Sequence, residues 1–200
     1  MGITFISLLV AEEARPALPS GTLDPKKLAQ VVAHLLPDNA IVMNESATAG
    51  RPVPGLTATS APHDWMDLMG GAIGQGLPAA TGAAVACPDR KVLCLQADGS
   101  GMYTVQALWT QARESLDVTT VIFSNRRYAI LEMEYSRVGA GEPSAATRSL
   151  FDLSRPDLDW VGLARSMGVE GVRATTAEEL ARGLERGFRE SGPFLVEAVL

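Results

Sequence analysis

Two short apolar segments place the strongest constraint on the fold of this chain. They are KVLCLQ at residues 91–96 and VTTVIFS at residues 118–124, and a helical segment separates them. Nearly continuous hydrophobic runs of this length are typical of strands in a parallel sheet whose two faces are both covered by helices. The two segments are therefore predicted to be strands of one parallel sheet, joined by a right-handed crossover.

Strand-like and helix-like segments alternate along the rest of the chain. Asp24 followed by Pro25 gives a helix start, and Thr176 with Glu179 gives a capping box for a helix ending near Arg189. The other predicted elements are a helix at 25–36, a strand ending at Asn44, a helix rich in small residues within 70–86, a helix at 158–167, and strands near Val172 and at 194–200. The predicted fold class is α/β, a doubly wound parallel sheet with helices on both faces, in a single domain.

Two segments do not fit this alternation. Residues 44–65 have turn composition without a period, and HDWMDLM at 63–69 is a poor strand. The opening ITFISLLVA is far shorter than the roughly 20 residues of a membrane-spanning helix, and no basic segment precedes it as in a signal peptide. We interpret residues 1–22 as a linker or the remnant of a preceding domain, and residues 23–200 as the folded domain.

Composition narrows the class of protein. A hydrophobic content of 46% with 20% charged residues is that of a globular protein, and a net charge of -6 without a basic run argues against nucleic-acid binding. Cys87 and Cys94 lie in apolar surroundings without metal-ligand spacing. They are predicted to be reduced core residues of a cytoplasmic protein that does not span a membrane.

A carboxylate and a carboxamide follow the two apolar strands. Asp98 and Asn125 lie 27 positions apart, the length of one helix and one strand. Because the carboxyl ends of parallel strands meet at one edge of a sheet, the two side chains can face the same point. Their oxygens suit Mg²⁺, which normally completes its shell with phosphate oxygens and water. Gly99 permits a close backbone approach, and Ser100 and the next glycine open a helix whose free N–H groups attract phosphate.

A nicotinamide-binding turn is the rival interpretation, because GGAIGQG is glycine-rich. Those glycines do not satisfy G-x-G-x-x-G, and the segment before them is a poor strand. No acidic residue ends a following strand at the distance that ribose recognition needs. The sequence therefore favours a magnesium–diphosphate site over a nicotinamide site.

The same residues carry a family resemblance. ADGS at 97–100, followed after a helix and a strand by SNRRYAIL, resembles the thiamine-diphosphate signature G-D-G-S … N-N. The resemblance continues through NESATAG, GGAIGQGLPAATGAAVACPDRKV and ALWTQA, and it covers about 23–200. The chain resembles the C-terminal, diphosphate-binding domain of the benzoylformate decarboxylase and acetolactate synthase family. The function implied is that of the cofactor-binding half of a 2-oxo acid decarboxylase or carboligase that uses thiamine diphosphate and Mg²⁺.

The resemblance also implies roles for individual residues. The implied metal ligands are Asp98, the side chain of Asn125 and the backbone carbonyl of Arg127. The implied cofactor contacts are Glu45, Ala47 and Thr48 in the diphosphate loop, Gly71 against the aminopyrimidine, Ile73 as the wedge that holds the cofactor bent, Gly99 and Ser100 on the diphosphate, and Tyr128 and Ile130 in the substrate pocket. Leu131 and Glu134 match further positions of that pocket, and Glu134 is equally well interpreted as a solvated helix residue.

Some residues depart from the pattern or have simpler interpretations. Ala97 and Ser124 replace a glycine and an asparagine of the signature, but neither position is a metal ligand, so metal binding is expected to survive. Glu45 is expected to be structural rather than catalytic. His34 lies off the apolar face of its helix and is expected to be exposed, whereas His63 is a candidate for the mouth of the active site.

One group that the chemistry needs is missing from the sequence. In the resembling enzymes a glutamate on a separate pyrimidine-binding domain activates the cofactor, and no such domain is present in these 200 residues. The chain is therefore expected to be a fragment, an inactive copy or one subunit of a split enzyme. Its expected partners are a pyrimidine-binding domain or subunit, within a homo- or hetero-oligomer, and a small 2-oxo acid. The alternative is a non-catalytic binding or scaffold domain that retains the fold.

Overall fold

A computed structural model describes residues 15–200. The strands are β1 (Ala40–Glu45), β2 (His63–Asp67), β3 (Val92–Ala97), β4 (Val118–Ser124), β5 (Glu170–Ala174) and β6 (Phe194–Val199). The helices within these residues are α1 (Pro25–Leu35), α2 (Val53–Thr57), α3 (Gly76–Ala86), α4 (Asp98–Gly101), α5 (Ala107–Arg113), α6 (Ala129–Arg137), α7 (Ala145–Phe151), α8 (Trp160–Ser166) and α9 (Ala177–Arg189). The segment ITFISLLVA, part of the predicted linker or domain remnant, lies outside the described residues.

All strand pairs in the sheet are parallel, and the strand order is β2-β1-β3-β4-β6-β5. The chain moves from β1 outward to β2 and then crosses back to β3 on the other side of β1. This change of direction leaves a crevice beyond the carboxyl ends of β1 and β3, which is where open α/β sheets bind ligands. The predicted doubly wound parallel sheet is confirmed.

Helices cover both faces of the sheet, and each face has its own hydrophobic core. Helices α1, α2 and α9 pack on one face against alternate strand residues such as Val42 and Leu95. Helices α3, α5 and α8 pack on the other face against the intervening residues, such as Met43 and Cys94. Burial on both faces explains why β3 and β4 are continuously apolar in sequence.

The helix starts that the sequence predicts are present. The Asp24 carboxylate accepts a hydrogen bond from the Lys27 N–H at 2.8 Å and caps α1. Thr176 and Glu179 form the predicted capping box of α9. Each cap satisfies N–H groups that would otherwise lack a partner in the first helical turn. Cys87 and Cys94 are free thiols, and burial raises the pKa of Cys94 above its ordinary range, with the nearby negative charge of Glu45 adding to the effect.

The segment HDWMDLM, interpreted from its sequence as a poor strand, does contain a strand. Its first five residues form β2 at one edge of the sheet, paired in parallel with β1. An edge strand needs no continuous apolar run, because one of its sides remains open to solvent. Trp65 packs against the first core and Met66 against the second. Within residues 15–200, no helix has the length and apolar character required to cross a bilayer.

Candidate functional site

Three loops at the carboxyl edge of the sheet form one pocket. They follow β1, β3 and β4, the central strands on either side of the crevice. The loop after β2 adds one residue, Ile73. The lining residues are Ser46, Ala47, Thr48, Ala49, Ile73, Ala97, Asp98, Gly99, Ser100, Phe123, Asn125, Arg127, Tyr128, Ala129 and Ile130. The topology alone brings Asp98 and Asn125 together, because β3 and β4 are paired neighbours.

Asp98 is the buried acid of this pocket. Its side chain is only 3% exposed, and its carboxylate accepts hydrogen bonds from the backbone N–H groups of Gly99 at 2.8 Å and Arg126 at 2.6 Å. Burial raises the pKa of Asp98 above its ordinary value, and these N–H groups only partly oppose the shift. Within residues 15–200 Asp98 forms no ion pair. A bound cation would remove the electrostatic cost of this isolated buried carboxylate.

The loop after β4 is bent to bring its backbone to Asp98. Arg126 has a positive φ of 58°, a conformation that costs a residue with a side chain about 1 kcal/mol or more. In this conformation its N–H reaches the Asp98 carboxylate. The Asn125 side-chain oxygen accepts a hydrogen bond from the Arg127 N–H at 3.1 Å, which fixes the carboxamide at the pocket edge. The Arg127 guanidinium turns outward to Glu132 at 3.0 Å.

The loop after β1 is held by its own short hydrogen bonds. The Ser46 hydroxyl donates to the side-chain oxygen of Asn44 at 2.5 Å, and the Asn44 amide donates to Asp67 at 2.6 Å. Ala47 has a positive φ of 50°, so it turns the chain sharply at the pocket wall. Gly50 is required here, because a Cβ at this position would lie 1.6 Å from the Ser46 hydroxyl oxygen. The loop is thus fixed before any ligand arrives.

Tyr128 forms the part of the pocket wall that lies against Gly99. Its ring lies over Gly99 so closely that a Cβ on Gly99 would be 2.3 Å from a ring carbon. The pKa of the Tyr128 hydroxyl is raised, first by burial and then by Tyr103 and the charge of Asp98. Gly99 therefore lets an aromatic ring approach the backbone of the short helix α4.

The structure places ten of the twelve predicted site residues on the pocket wall. Gly71 is exposed, has a φ of +68°, and does not line the pocket. Glu45 is 2% exposed and its carboxylate points beneath the pocket, where it accepts hydrogen bonds from the N–H groups of Gly74 and Gly76. Glu45 does not line the pocket, and its hydrogen bonds agree with the structural role expected for it.

His34 is not exposed as predicted, and His63, a candidate for the mouth of the active site, lies away from the pocket. His63 begins β2, opposite Ala40 at the amino end of β1, so it lies at the far edge of the sheet from the pocket. His34 is half-buried rather than exposed, and its Nδ1 lies 2.9 Å from the Pro16 carbonyl oxygen. Glu134 lies on α6 and pairs with Arg137 at 2.9 Å.

Some pocket residues were not anticipated from sequence. They are Ser46, Ala49, Ala97, Phe123 and Ala129. Ala97 and Phe123 are paired across β3 and β4 at their carboxyl ends. Position at the end of a buried strand is the sequence signal for these two residues.

The residues present fit a magnesium ion carrying a diphosphate. Among the lining residues that the structure describes, Asp98 has the only carboxylate, and Asn125 adds a neutral oxygen. The one lining guanidinium, that of Arg127, is already paired with Glu132. An anion could therefore not be neutralised by the side chains of the pocket alone, whereas a cation on Asp98 and Asn125 would supply the charge and leave coordination positions for phosphate oxygens. Fold and pocket together define a cofactor-binding α/β domain of the doubly wound type.

Comparison with known proteins gives the family. Residues 53–198 match the model of the C-terminal TPP binding domain of thiamine pyrophosphate enzymes. The chain belongs to this family, and its cofactor is thiamine diphosphate.

Relatives and solved structures agree with this assignment. A Mycobacterium tuberculosis protein named as a candidate acetolactate synthase large subunit, IlvX, is 54% identical over 192 residues, covering 96% of this chain and 37% of that protein. Benzoylformate decarboxylase of Pseudomonas aeruginosa is 32% identical over 190 residues, covering 92% of this chain and 35% of that enzyme. The structure of a thiamine diphosphate-dependent 4-hydroxybenzoylformate decarboxylase from Rhodococcus jostii RHA1 superposes with a TM-score of 0.79 at 33% identity, covering 88% of this chain and 32% of that one. The chain thus spans about a third of the length of the relatives it matches.

Proposed function

We propose that this chain is the diphosphate- and Mg²⁺-binding half of a thiamine-diphosphate-dependent 2-oxo acid decarboxylase or carboligase. The observation that carries the proposal is the buried, unpaired carboxylate of Asp98 beside Asn125 at the topological switch point of the sheet. Similarity to acetolactate synthase and benzoylformate decarboxylase supports the reaction class. The domain extends from about residue 23 to residue 200 in this proposal, and a cytoplasmic location accords with the free thiols of the described chain.

Each wall of the pocket takes one part of the ligand in this proposal. Asp98, the side-chain oxygen of Asn125 and the backbone carbonyl of Arg127 hold the Mg²⁺. Backbone groups of Gly99 and Ser100, with Ala47 and Thr48 across the pocket, contact the diphosphate. The residues proposed beside the thiamine rings and the substrate are Gly71, Ile73, Tyr128 and Ile130. When bound, thiamine diphosphate supplies a thiazolium group that stabilises the negative charge left when a 2-oxo acid loses carbon dioxide.

The proposal requires a second domain to cover the pocket. Two apolar residues of the pocket wall are exposed, Ile73 at 40% and Ile130 at 36%, and Met69 and Tyr103 are exposed at 73% and 60% in the segments after β2 and α4. A pyrimidine-binding domain or subunit docked there would bury these side chains and bring the carboxylate that the described pocket walls do not provide. The natural assembly is accordingly proposed to be a homo- or hetero-oligomer.

Replacing Asp98 by alanine is expected to weaken metal-dependent cofactor binding at least tenfold, about 1.4 kcal/mol or more. The reason is that the substitution removes the single charged ligand of the proposed Mg²⁺ site. Titration calorimetry with thiamine diphosphate, with and without Mg²⁺, measures the effect. Asp89→Ala is the control, because Asp89 is an exposed carboxylate after α3. Equal affinities of wild type and Asp98→Ala would contradict the site assignment.

Residues 1–200 alone are expected to bind thiamine diphosphate without turning over pyruvate or benzoylformate. General base catalysis contributes about 10²- to 10⁴-fold in rate, and the pocket walls described offer no carboxylate placed for it other than the proposed metal ligand. Hydrogen–deuterium exchange at the cofactor C2 position, followed by NMR, should run no faster than in free cofactor. Adding a pyrimidine-binding domain should accelerate the exchange. If the chain binds cofactor but a pyrimidine-binding domain does not accelerate C2 exchange, the result would instead support the scaffold function.

A further inference from the structure

Glu45 is a buried acid that the proposed ligand contacts do not use. It ends β1, is 2% exposed, and forms no ion pair within residues 15–200. One carboxylate oxygen accepts the N–H of Gly74 at 2.5 Å, and the other accepts the N–H of Gly76, the first residue of α3. Both oxygens thus face the amino end of a helix, where the backbone carries a partial positive charge.

This carboxylate is tightly enclosed. A Cβ on Gly76 would lie 2.9 Å from a Glu45 oxygen and 2.1 Å from the side-chain oxygen of Gln96, which is buried without a hydrogen-bond donor among the described residues. The Gln96 amide nitrogen donates to the Ser100 hydroxyl at 2.6 Å. The space beneath the pocket therefore contains two adjacent polar groups, Glu45 bonded to residues at the start of α3 and Gln96 bonded to Ser100 of α4, with no hydrogen bond between them among the described residues.

The segment above Glu45 has few other restraints. Residues 70–76 contain Gly70, Gly71 and Gly74, all with positive φ, and no atom lies within 4 Å of the Cβ positions of the first two. The Thr104 hydroxyl donates to the Gly74 carbonyl at 2.9 Å, and the Gln75 amide donates to the Met69 carbonyl at 3.0 Å. Ile73 is the member of this segment that reaches the pocket wall. The two hydrogen bonds to Glu45 are the buried restraints on its position.

We propose that Glu45 is a positioning residue that fixes the place of Ile73 on the wall of the cofactor pocket. The two N–H donors require two acceptor oxygens, which a carboxylate supplies and a carboxamide does not, since its nitrogen would face an N–H group. The inference rests on the proposed function, because the importance of Ile73 depends on a cofactor in the pocket. Glu45 is therefore expected to affect the thiamine end of the ligand. Its hydrogen-bond partners, Gly74 and Gly76, are not among the residues proposed to hold Mg²⁺ and diphosphate.

The test distinguishes an effect on binding of the thiamine end of the ligand from an effect on binding of the diphosphate end. Glu45→Gln is titrated, in the presence of Mg²⁺, with thiamine diphosphate and separately with inorganic pyrophosphate as a probe of the metal and diphosphate walls. The expected result is at least tenfold weaker thiamine diphosphate binding with pyrophosphate binding changed less than twofold. Glu45→Asp, which keeps two acceptor oxygens on a shorter side chain, should lie between Glu45→Gln and wild type. Hydrogen exchange should be faster at residues 70–76 and unchanged at 97–101.

One control variant and one alternative test variant keep the outcomes distinct. Val31→Ala lowers stability from the opposite face of the sheet and should leave the ratio of the two affinities unchanged. Loss of both ligands in Glu45→Gln, or an unchanged ratio, would overturn the positioning role. If Glu45→Gln does not fold, Glu45→Asp provides the test. An unchanged ratio of thiamine diphosphate affinity to pyrophosphate affinity in that variant would also overturn the positioning role. A wild-type chain that binds neither ligand would refute the proposed function itself, which is a different result.

Discussion

Replacing Trp160 by alanine is expected to lower the free energy of unfolding by about 3–5 kcal/mol. Trp160 begins α8, is fully buried, and is among the largest side chains of the second core. It also supports the pocket from below, because a Cβ on Gly101 would lie 2.8 Å from the indole ring. The cavity left by alanine would therefore open beneath α4, the short helix that begins with Asp98. Chemical denaturation measures the stability loss.

The second tryptophan of this face gives a matched control. Trp109 lies on α5 with 52% of its side chain exposed, next to the Arg113 guanidinium at 4.9 Å. Trp109→Ala should cost about 1 kcal/mol or less. Trp160→Phe should cost less than Trp160→Ala, because the phenyl ring still fills most of the space while the unpartnered indole N–H is removed in both variants. Similar stability losses for Trp109→Ala and Trp160→Ala would contradict the packing described for α8.

Replacing Gly76 by alanine is expected to destabilise the chain by about 1–3 kcal/mol, although alanine favours helices. The added methyl group would overlap the Gln96 side chain and press on the Glu45 carboxylate. Gly82 lies in the same helix with no atom within 4 Å of its Cβ position, so Gly82→Ala should stabilise by about 0.5–1 kcal/mol. Comparing the thermal unfolding of Gly76→Ala and Gly82→Ala separates the effect of steric crowding on stability from the effect of helix propensity. Equal shifts in the same direction would show that Gly76 is not crowded.

The central part of the fold is readable from sequence because its strands are buried on both faces. The segments of β3 and β4 are apolar at nearly every position, and their adjacency follows from the alternation with helices. The edge strand β2 was missed because His63, Asp64 and Asp67 interrupt the apolar run, and only its pairing with β1 makes it a strand. Edge strands depend on tertiary contacts that local composition does not report.

Site residues that directly follow central strands were predictable from the sequence. Residues whose side chains could point to either face of the sheet were harder to place. Asp98 and Asn125 follow neighbouring strands, so parallel pairing is enough to bring them together. The direction of Glu45 depends on the alternation of β1, in which Ile41 and Met43 face the second core. Glu45 has the same parity and therefore points towards α3 rather than into the loop after the strand. The alternation of β1 in the sequence therefore indicates the direction of Glu45.

Helix α6 has a consequence for how proteins of this type diversify. None of its residues is buried, yet the residues at its start, Tyr128, Ala129 and Ile130, line the pocket. Substitutions farther along such a helix change stability little, typically within about 0.5 kcal/mol. Natural proteins tolerate only small losses of stability, so a segment that shapes a binding site without contributing to a core can accumulate changes at low risk to folding. Residues at the start of α6 can therefore change the shape of the pocket at little cost to folding, whereas the pairing of β3 with β4 keeps Asp98 and Asn125 together.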